Sequence, residues 1–347
     1  MSFWDTLKKP ILVLAPMADV TDAAFRRVIA KYSKQQGKLD VMWTEFVSAD
    51  GLAYASPEGK EKLMRDLVYD ESERPIVAQF FGSHPETMKE AGRLAVRLGF
   101  DGADINMGCP DKSVMRQKAG AALIKNPKLA RELIRALREG AQEEADKLGV
   151  PMIGISVKTR VGYNKVEIDE WIPELLAEGL DALIIHCRTM KEMSKVPARW
   201  EHVKEVVALR DKLQPDGAKK TLILGNGDIL DAEDGRKKAE ENNGDGAMLG
   251  RAIFGNPWLF DGHLSRSSDG QAKMPISPKE KLEVLLEHTR LFEVLLGDIK
   301  NFAIMKKHYK AYVKGWEGAS ELRARLMEAN SADEVEAILK ADPVWTA

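Results

Sequence analysis

The chain has 347 residues, of which 44% are hydrophobic and 31% charged, with 52 basic against 54 acidic side chains and a formal net charge of −2. This balance fits a globular chain with a sizeable core and excludes a disordered polyelectrolyte, so any nucleic-acid contact must come from a local basic patch. No apolar run approaches the roughly 18–20 residues of a membrane helix, and the opening M-S-F-W-D-T-L-K-K-P lacks a secretory apolar core. Two cysteines make no disulfide scaffold, and the six histidines show neither C-x-x-C nor H-E-x-x-H spacing. A cytoplasmic protein without a bound metal is expected.

Short apolar runs alternate with longer amphipathic segments from residue 11 to about 260. In chain order the runs are Ile11–Ala15, Asp40–Thr44, Pro75–Phe80, Gly102–Asn106, Met152–Val157, Ala182–His186, Thr221–Leu224 and Gly246–Leu249. Each is nearly continuous in Val, Ile, Leu, Met or Ala, as strands covered on both faces require. Helical patterns lie between them, such as Pro127–Leu148, with charges on one face and Leu, Ile and Ala on the other. Eight strands with helical crossovers predict an α/β fold, a (β/α)8 TIM barrel over residues 1–262. A doubly wound open sheet competes, but no strand is followed by G-x-G-x-x-G, and Gly225-Asn226-Gly227 is too short a match. Residues 263–278 read as a linker. Residues 279–347 show only helical periodicity and predict a small all-α domain with Leu282, Leu285, Leu286, Phe292 and Leu295 in its core. No internal repeat is evident.

The polar residues of interest all follow predicted strands. The first strand leads into Ala15-Pro16-Met17-Ala18, the second into Thr44-Glu45, and the third carries Gln79. The fourth is followed by Asn106 and Cys109, the fifth by Lys158 and Arg160, the sixth by His186-Cys187-Arg188. The seventh ends in Asn226-Gly227-Asp228 and the eighth in Gly250-Arg251. Strand C-termini of a barrel converge on one face, so these side chains are expected around a single mouth. Cys109, between a glycine and a proline, is the first candidate for chemistry. Cys187 is expected to point away as a small buried hydrophobe. The last two loops, with Arg251–Phe254 as the start of a short helix, suggest a phosphate site. A lysine at the position of Lys158 suits an electron-rich ring carbonyl or a reduced flavin, whereas His186 alone reads as a core histidine.

Together, A-P-M-A-D-V-T-D-A-A-F-R, T-E, A-Q-F-F-G, N-M-G-C-P with A-G-A-A-L, V-K-T-R, H-C-R-T, G-N-G-D and L-G-R-A-I-F-G-N-P-W resemble the tRNA-dihydrouridine synthases, in family order over roughly residues 11–260. The tail I-M-K-K-H-Y-K-A-Y-V-K-G-W-E-G-A-S-E-L-R is similar to the helical RNA-binding domain of the B-type bacterial enzymes. The resemblance implies an FMN barrel that reduces the C5=C6 bond of particular tRNA uridines with NADPH. It implies FMN contacts from Pro16, Met17, Ala18, Gln79, Lys158, Asn226, Gly227, Asp228, Gly250 and Arg251, with His186 beside the flavin. Cys109 matches the proton donor and Asn106 a residue near the uracil, with Arg160 and Arg188 as further substrate contacts. The absence of a dinucleotide fingerprint is compatible with NADPH visiting the flavin transiently.

The base must be flipped out of the folded RNA, so phosphates need a grip. Residues 299–316 carry Lys300, Lys306, Lys307, Lys310 and Lys314 with no acidic side chain, and Phe302, Tyr309, Tyr312 and Trp316 are interleaved. Helical spacing places Lys306, Lys310 and Lys314 on one face as the expected tRNA contact. Lys191, Lys195 and Arg199 offer a second. The chain departs from the family pattern at Cys187, where relatives usually have glycine, and in the loop M-K-E-M-S-K-V-P-A-R-W, where they typically carry a ring. A monomer is expected. Two other readings stay open: a flavin barrel reducing a small pyrimidine or enone, and a non-catalytic RNA-binding relative.

Overall fold

The computed structural model describes residues 2–34, 39–215, 217, 219–261 and 276–346. Eight strands form as the apolar runs predict: β1 (Ile11–Leu14), β2 (Met42–Ser48), β3 (Ile76–Phe81), β4 (Gly102–Met107), β5 (Gly154–Arg160), β6 (Ala182–His186), β7 (Leu222–Asn226) and β8 (Gly246–Leu249). They pair in the order β1-β8-β7-β6-β5-β4-β3-β2, all in parallel. A parallel bridge between Val13 and Val41 joins β1 to β2 and closes the expected barrel.

Helices α1 (Ala23–Ile29), α2 (Ala49–Tyr54), α3 (Pro57–Arg65), α4 (Pro85–Arg97), α5 (Lys112–Arg116), α6 (Pro127–Leu148), α7 (Ile168–Leu176), α8 (Glu201–Leu213) and α9 (Ala232–Glu241) lie between the strands. Helices α10 (Pro278–Leu296), α11 (Met305–Tyr312), α12 (Ala319–Glu328), α13 (Ala332–Lys340) and α14 (Pro343–Thr346) complete the chain. Local chemistry sets their ends. The side chain of Asn126 accepts the Leu129 N–H at 3.2 Å, Pro127 opens α6, and Gly149 closes it in the left-handed region at φ 65°.

One device recurs around the barrel floor. Asp40, Asp101, Asp181 and Asp245, just before β2, β4, β6 and β8, each accept an N–H from the preceding strand: Leu12, Ile76, Ile155 and Ile223 at 2.7, 2.8, 2.8 and 2.8 Å. Each aspartate also donates its own N–H to the same residue's carbonyl, at 2.8, 3.1, 2.9 and 2.8 Å. Strand pairs are thus clamped in register by a carboxylate that ends the ladder. The device recurs once per strand pair, carried by one aspartate before an apolar run.

Side chains alternate across each strand. Pointing inward, Ile11, Val13, Trp43, Val77, Ile184, Leu224 and Met248 fill the lower barrel. Trp4 plugs its floor, so close to Gly154 that a Cβ there would stand 2.7 Å from the indole. Toward the strand C-termini the inward positions turn polar: Gln79, Asn106, Lys158, His186 and Asn226. The outward faces pack on the helices in a core that runs on into Leu282, Leu285 and Phe292 of α10. Phe25 of α1 stacks on His288 of α10 with ring centroids 4.7 Å apart. Most of the expected linker falls in residues 262–275, outside the described residues.

Candidate active site

The mouth formed by the strand C-termini holds an open cavity of about 780 Å³, lined by Pro16, Met17, Lys158, Arg160, His186, Arg188, Asn226, Gly227, Asp228, Gly250 and Arg251 among others. The lining comes from the C-terminal ends of six strands, β1, β4, β5, β6, β7 and β8, and the volume lies in the range of small-molecule and cofactor sites. Lys158 comes from β5 and is half-buried. Among the described residues its ammonium has one hydrogen-bond acceptor, Asn226 Oδ1 at 3.2 Å. Asn226 in turn donates Nδ2 to the Met248 carbonyl at 2.7 Å, which fixes its amide orientation. Burial, followed by the neighbouring Arg160, brings the Lys158 ammonium down to about 8. An ammonium has three donors, so this one retains donors for an acceptor in the cavity. Burial, then the cations Arg160, Lys158, Arg188 and Arg251, hold His186 far below its ordinary range, so its imidazole is neutral.

The last two loops form a bracket. Asp228, in the left-handed region at φ 47°, accepts from Arg188, from Arg251 at 2.8 Å and from the Ala198 N–H at 2.9 Å. The Arg188 hydrogen bond comes first in holding its carboxyl below the usual range. Arg251 remains mostly exposed at the cavity rim, 64% for its side chain. The short helix expected there is a single 3-10 turn, Arg251–Ile253. Three residues offer no helix terminus, so an anion at this end relies on the guanidinium and on loop N–H groups.

Several expected contacts do not reach the cavity wall. Ala18 is exposed in the loop after β1, while Gln79 is wholly buried. Gln79 Nε2 donates to Asp104 at 2.7 Å and its Oε1 accepts from Asn106 Nδ2 at 3.1 Å. Asn106 Oδ1 then accepts the N–H groups of Gly108 at 3.1 Å and Cys109 at 2.9 Å. Asn106 thus anchors the turn that carries Cys109, and Pro110, next in the chain, lines the cavity. Cys109 packs beside Phe46 and Phe81, whose rings meet edge-on at 5.7 Å. Burial pushes its thiol up from the ordinary 9.0, outweighing Arg160 and Lys158, so it is protonated at neutral pH. Lys112 and Arg116 nearby are exposed. Cys187 is wholly buried and pushed up to about 12 by burial, as expected of an inert thiol.

Arg160 and Arg188 line the cavity, yet their guanidinium groups already hold backbone. Arg160 donates to Gly108 O at 2.7 Å, Thr189 O at 3.1 Å and Met193 O at 3.2 Å, tying the loops after β4 and β6 together. Arg188 donates to Val196 O at 2.6 Å besides Asp228.

In the basic segment, α11 ends at Tyr312 with Val313 as its C-cap, so Lys314 lies beyond the helix and does not share a helical face with Lys306 and Lys310. Lys300 is no free cation either: it pairs with Glu45 at 2.7 Å and Asp66 at 2.9 Å. Tyr309 and Tyr312 are buried. Arg199 forms a two-pronged pair with Glu192 at 2.8 and 2.9 Å. The sequence gives no warning of the Lys300 partners, because Glu45 and Asp66 come from other elements, whereas Glu192 shares the loop after β6 with Arg199. Sequence reasoning also passed over Asp104 and the Phe46–Phe81 pair. A period-two count along β4 from Asn106 finds the first, and no sequence signal marks the second.

A (β/α)8 barrel with a half-buried ammonium, a neutral imidazole and a rim guanidinium at its C-terminal mouth is an enzyme scaffold for an anionic, acceptor-rich ligand. The family model for dihydrouridine synthase (Dus) matches residues 13–344. A probable tRNA-dihydrouridine synthase 2 of Bacillus subtilis (strain 168) is 40% identical over 340 residues, covering 97% of this chain and 95% of that protein. A probable tRNA-dihydrouridine synthase of Staphylococcus aureus (strain COL) is 37% identical, covering 97% and 94%. Among solved structures, a 2-naphthoyl-CoA reductase in complex with 2-naphthoyl-CoA shares the fold, with a TM-score of 0.51 at 12% identity over 75% of this chain and 52% of that one. The chain belongs to the dihydrouridine synthase family, and is a flavin-dependent oxidoreductase. Among the described residues no helix is long and apolar enough to cross a membrane, and no cluster of ligating side chains suits a metal.

Proposed function

We propose that this protein reduces the C5=C6 bond of uridines in tRNA, with FMN as its flavin and NADPH as the reductant. The observation that carries the reading is that the turn after β4 holds a protonated thiol, Cys109, next to cavity-lining Pro110, while the neighbouring strand β5 presents a half-buried ammonium, Lys158, to the same cavity. FMN, when bound, supplies the two-electron reduction of the uracil at C6. Lys158 would hold its pyrimidine-side acceptors, with Asn226 keeping the ammonium in place. Pro16, Met17, Gly227 and Gly250 would form close walls, and Arg251, steadied by Asp228, would meet the phosphate. Cys109 holds the proton that C5 must receive, so the neutral thiol is its working form. Asn106 keeps the Cys109 turn in place, and Arg160 and Arg188 shape the loops around the base. Gln79 acts from beneath, through Asn106.

The helical segment 279–347 would dock the tRNA, with Lys310, exposed on α11, and Lys306 beside it as phosphate contacts. Lys314 would contribute from the loop after α11. The test is anaerobic reoxidation of the NADPH-reduced flavin, followed by its visible absorbance. Rapid reoxidation by unmodified tRNA, and not by free uridine, is expected. A flavin that reduces but ignores tRNA would refute the reading in favour of a small-molecule reductase.

A further inference from the structure

Asp104 belongs to none of the contacts above that face the cavity, yet it is wholly buried in the barrel interior. It accepts from Gln79 Nε2 at 2.7 Å and from Ser156 Oγ at 2.7 Å, so both carboxylate oxygens are engaged. In the β4–β5 ladder Asp104 stands opposite Ser156, and Asn106 opposite Lys158. Asp104 and Lys158 are therefore diagonal inward neighbours, one layer apart. We propose that Asp104 is a positioning residue of the reductase: its carboxylate is the buried counter-charge that keeps Lys158 an ammonium, and it sets the direction of the Gln79–Asn106 relay that holds Cys109.

The relay direction follows from donor inventory. A carboxylate can only accept, so Gln79 must present Nε2 to it and Oε1 to Asn106. Asn106 must then present Nδ2 to Gln79, which leaves Oδ1 for the N–H groups of Gly108 and Cys109. The charge argument rests on the same placement. The groups acting on Lys158 are Arg160, which lowers its affinity for a proton, and Asp104, Cys109 and Cys187, which raise it. The two thiols are neutral below pH 9, with their own affinities raised. His186, which Lys158 disfavours in its charged form, is neutral throughout. Asp104 is thus the one group in that set that carries negative charge at neutral pH, although burial pushes its carboxyl up to about 6. Between about 6 and about 8, then, Asp104 and Lys158 are both ionised.

This inference rests on FMN occupying the cavity, and its test reads FMN affinity rather than turnover. FMN fluorescence quenching is titrated from pH 6.5 to 9.5 with the wild-type chain and with Asp104→Asn, whose amide can keep both hydrogen bonds but not the charge. Wild-type affinity is expected to weaken as pH rises through about 8. Removing a contribution that favours the charged lysine lowers its pKa, so in D104N the same weakening should begin about one pH unit lower. Asp104→Leu removes the relay acceptor as well, so alkylation of Cys109 by iodoacetamide in the FMN-loaded protein should change by about threefold or more. In D104N it should stay at the wild-type rate. A D104N limb coincident with wild type overturns the proposal and leaves FMN binding standing, as does a folded D104L with unaltered alkylation. Absence of FMN binding by the wild-type chain at any pH overturns both. Should D104L fail to fold, the D104N limb decides.

Discussion

Replacing Cys109 by alanine separates the role of the thiol from its place in the fold. The side chain is half-buried, and its turn is anchored through backbone N–H groups to Asn106 rather than through sulfur. Truncation therefore leaves the turn and the cavity intact, and FMN should bind as in wild type. With its pKa raised above 9.0, less than about 1% of the thiol is ionised at pH 7. Nearly every molecule thus carries the proton that C5 needs. Loss of one positioned general acid costs about 10²-fold or more, or roughly 2.7 kcal/mol of barrier. The assay is single-turnover reoxidation of the reduced flavin by unmodified tRNA without oxygen. Reduction by NADPH should proceed at the wild-type rate in C109A while reoxidation falls by about two orders of magnitude. A falling limb near pH 8, set by Lys158, should persist in the variant. Reoxidation within about threefold of wild type would remove Cys109 from the mechanism.

Lys300→Met should destabilise the protein by about 3 kcal/mol at pH 8, because it strands Glu45 and Asp66 beside the barrel mouth. Burial raises the Glu45 carboxyl to about 7 even with Lys300 lowering it, so without the lysine the acid takes up a proton at still higher pH and the loss should shrink from pH 8 to pH 6; denaturant unfolding at the two values reads this. Gly225→Ala places a Cβ 2.2 Å from the Trp200 ring, which cannot swing away while its Nε1 donates to Gly227 O at 2.9 Å. A loss of roughly 1–3 kcal/mol is expected for such overpacking, read as a lowered melting temperature. Charge reversal of Lys306 and Lys310 together should weaken tRNA binding most at low salt and flatten the log Kd against log salt slope by about one unit per lost phosphate contact, measured by anisotropy. An unchanged slope would place the RNA surface elsewhere.

The limits of the sequence reading follow a pattern along the strands. The apolar run at Met152–Val157 stops short of the observed β5, Gly154–Arg160, and the run at Asp40–Thr44 stops short of β2, Met42–Ser48. Thr221–Leu224 likewise ends before Asn226, where β7 ends. A hydrophobic run breaks where polar residues begin, and in a barrel these are the C-terminal strand residues that turn inward to the mouth. Strands were thus cut short where they become the site. In β2 the ladder also shifts between Trp43 and Phe46. The Thr44 hydroxyl takes the Gln79 N–H at 3.1 Å, which no propensity anticipates.

Helix α6 runs from Pro127 to Leu148, as its local signals specify: an asparagine cap, a proline at the first position and a glycine beyond the last. Continuous apolar runs marked the eight strands, a period of 3.6 marked their crossovers, and short motifs pointed to the family. These depend only on residues within a turn or two of each other. The partners of polar side chains do not. Lys300 finds Glu45 across 255 residues, Ser156 finds Asp104 across 52, and Lys158 finds Asn226 across 68. Which lysine is spent on a carboxylate, which faces a ligand and which thiol keeps its proton were decided by barrel closure and by the packing of α10 and α11 against it. Burial and charge act through distance in space, and only the closed fold sets those distances.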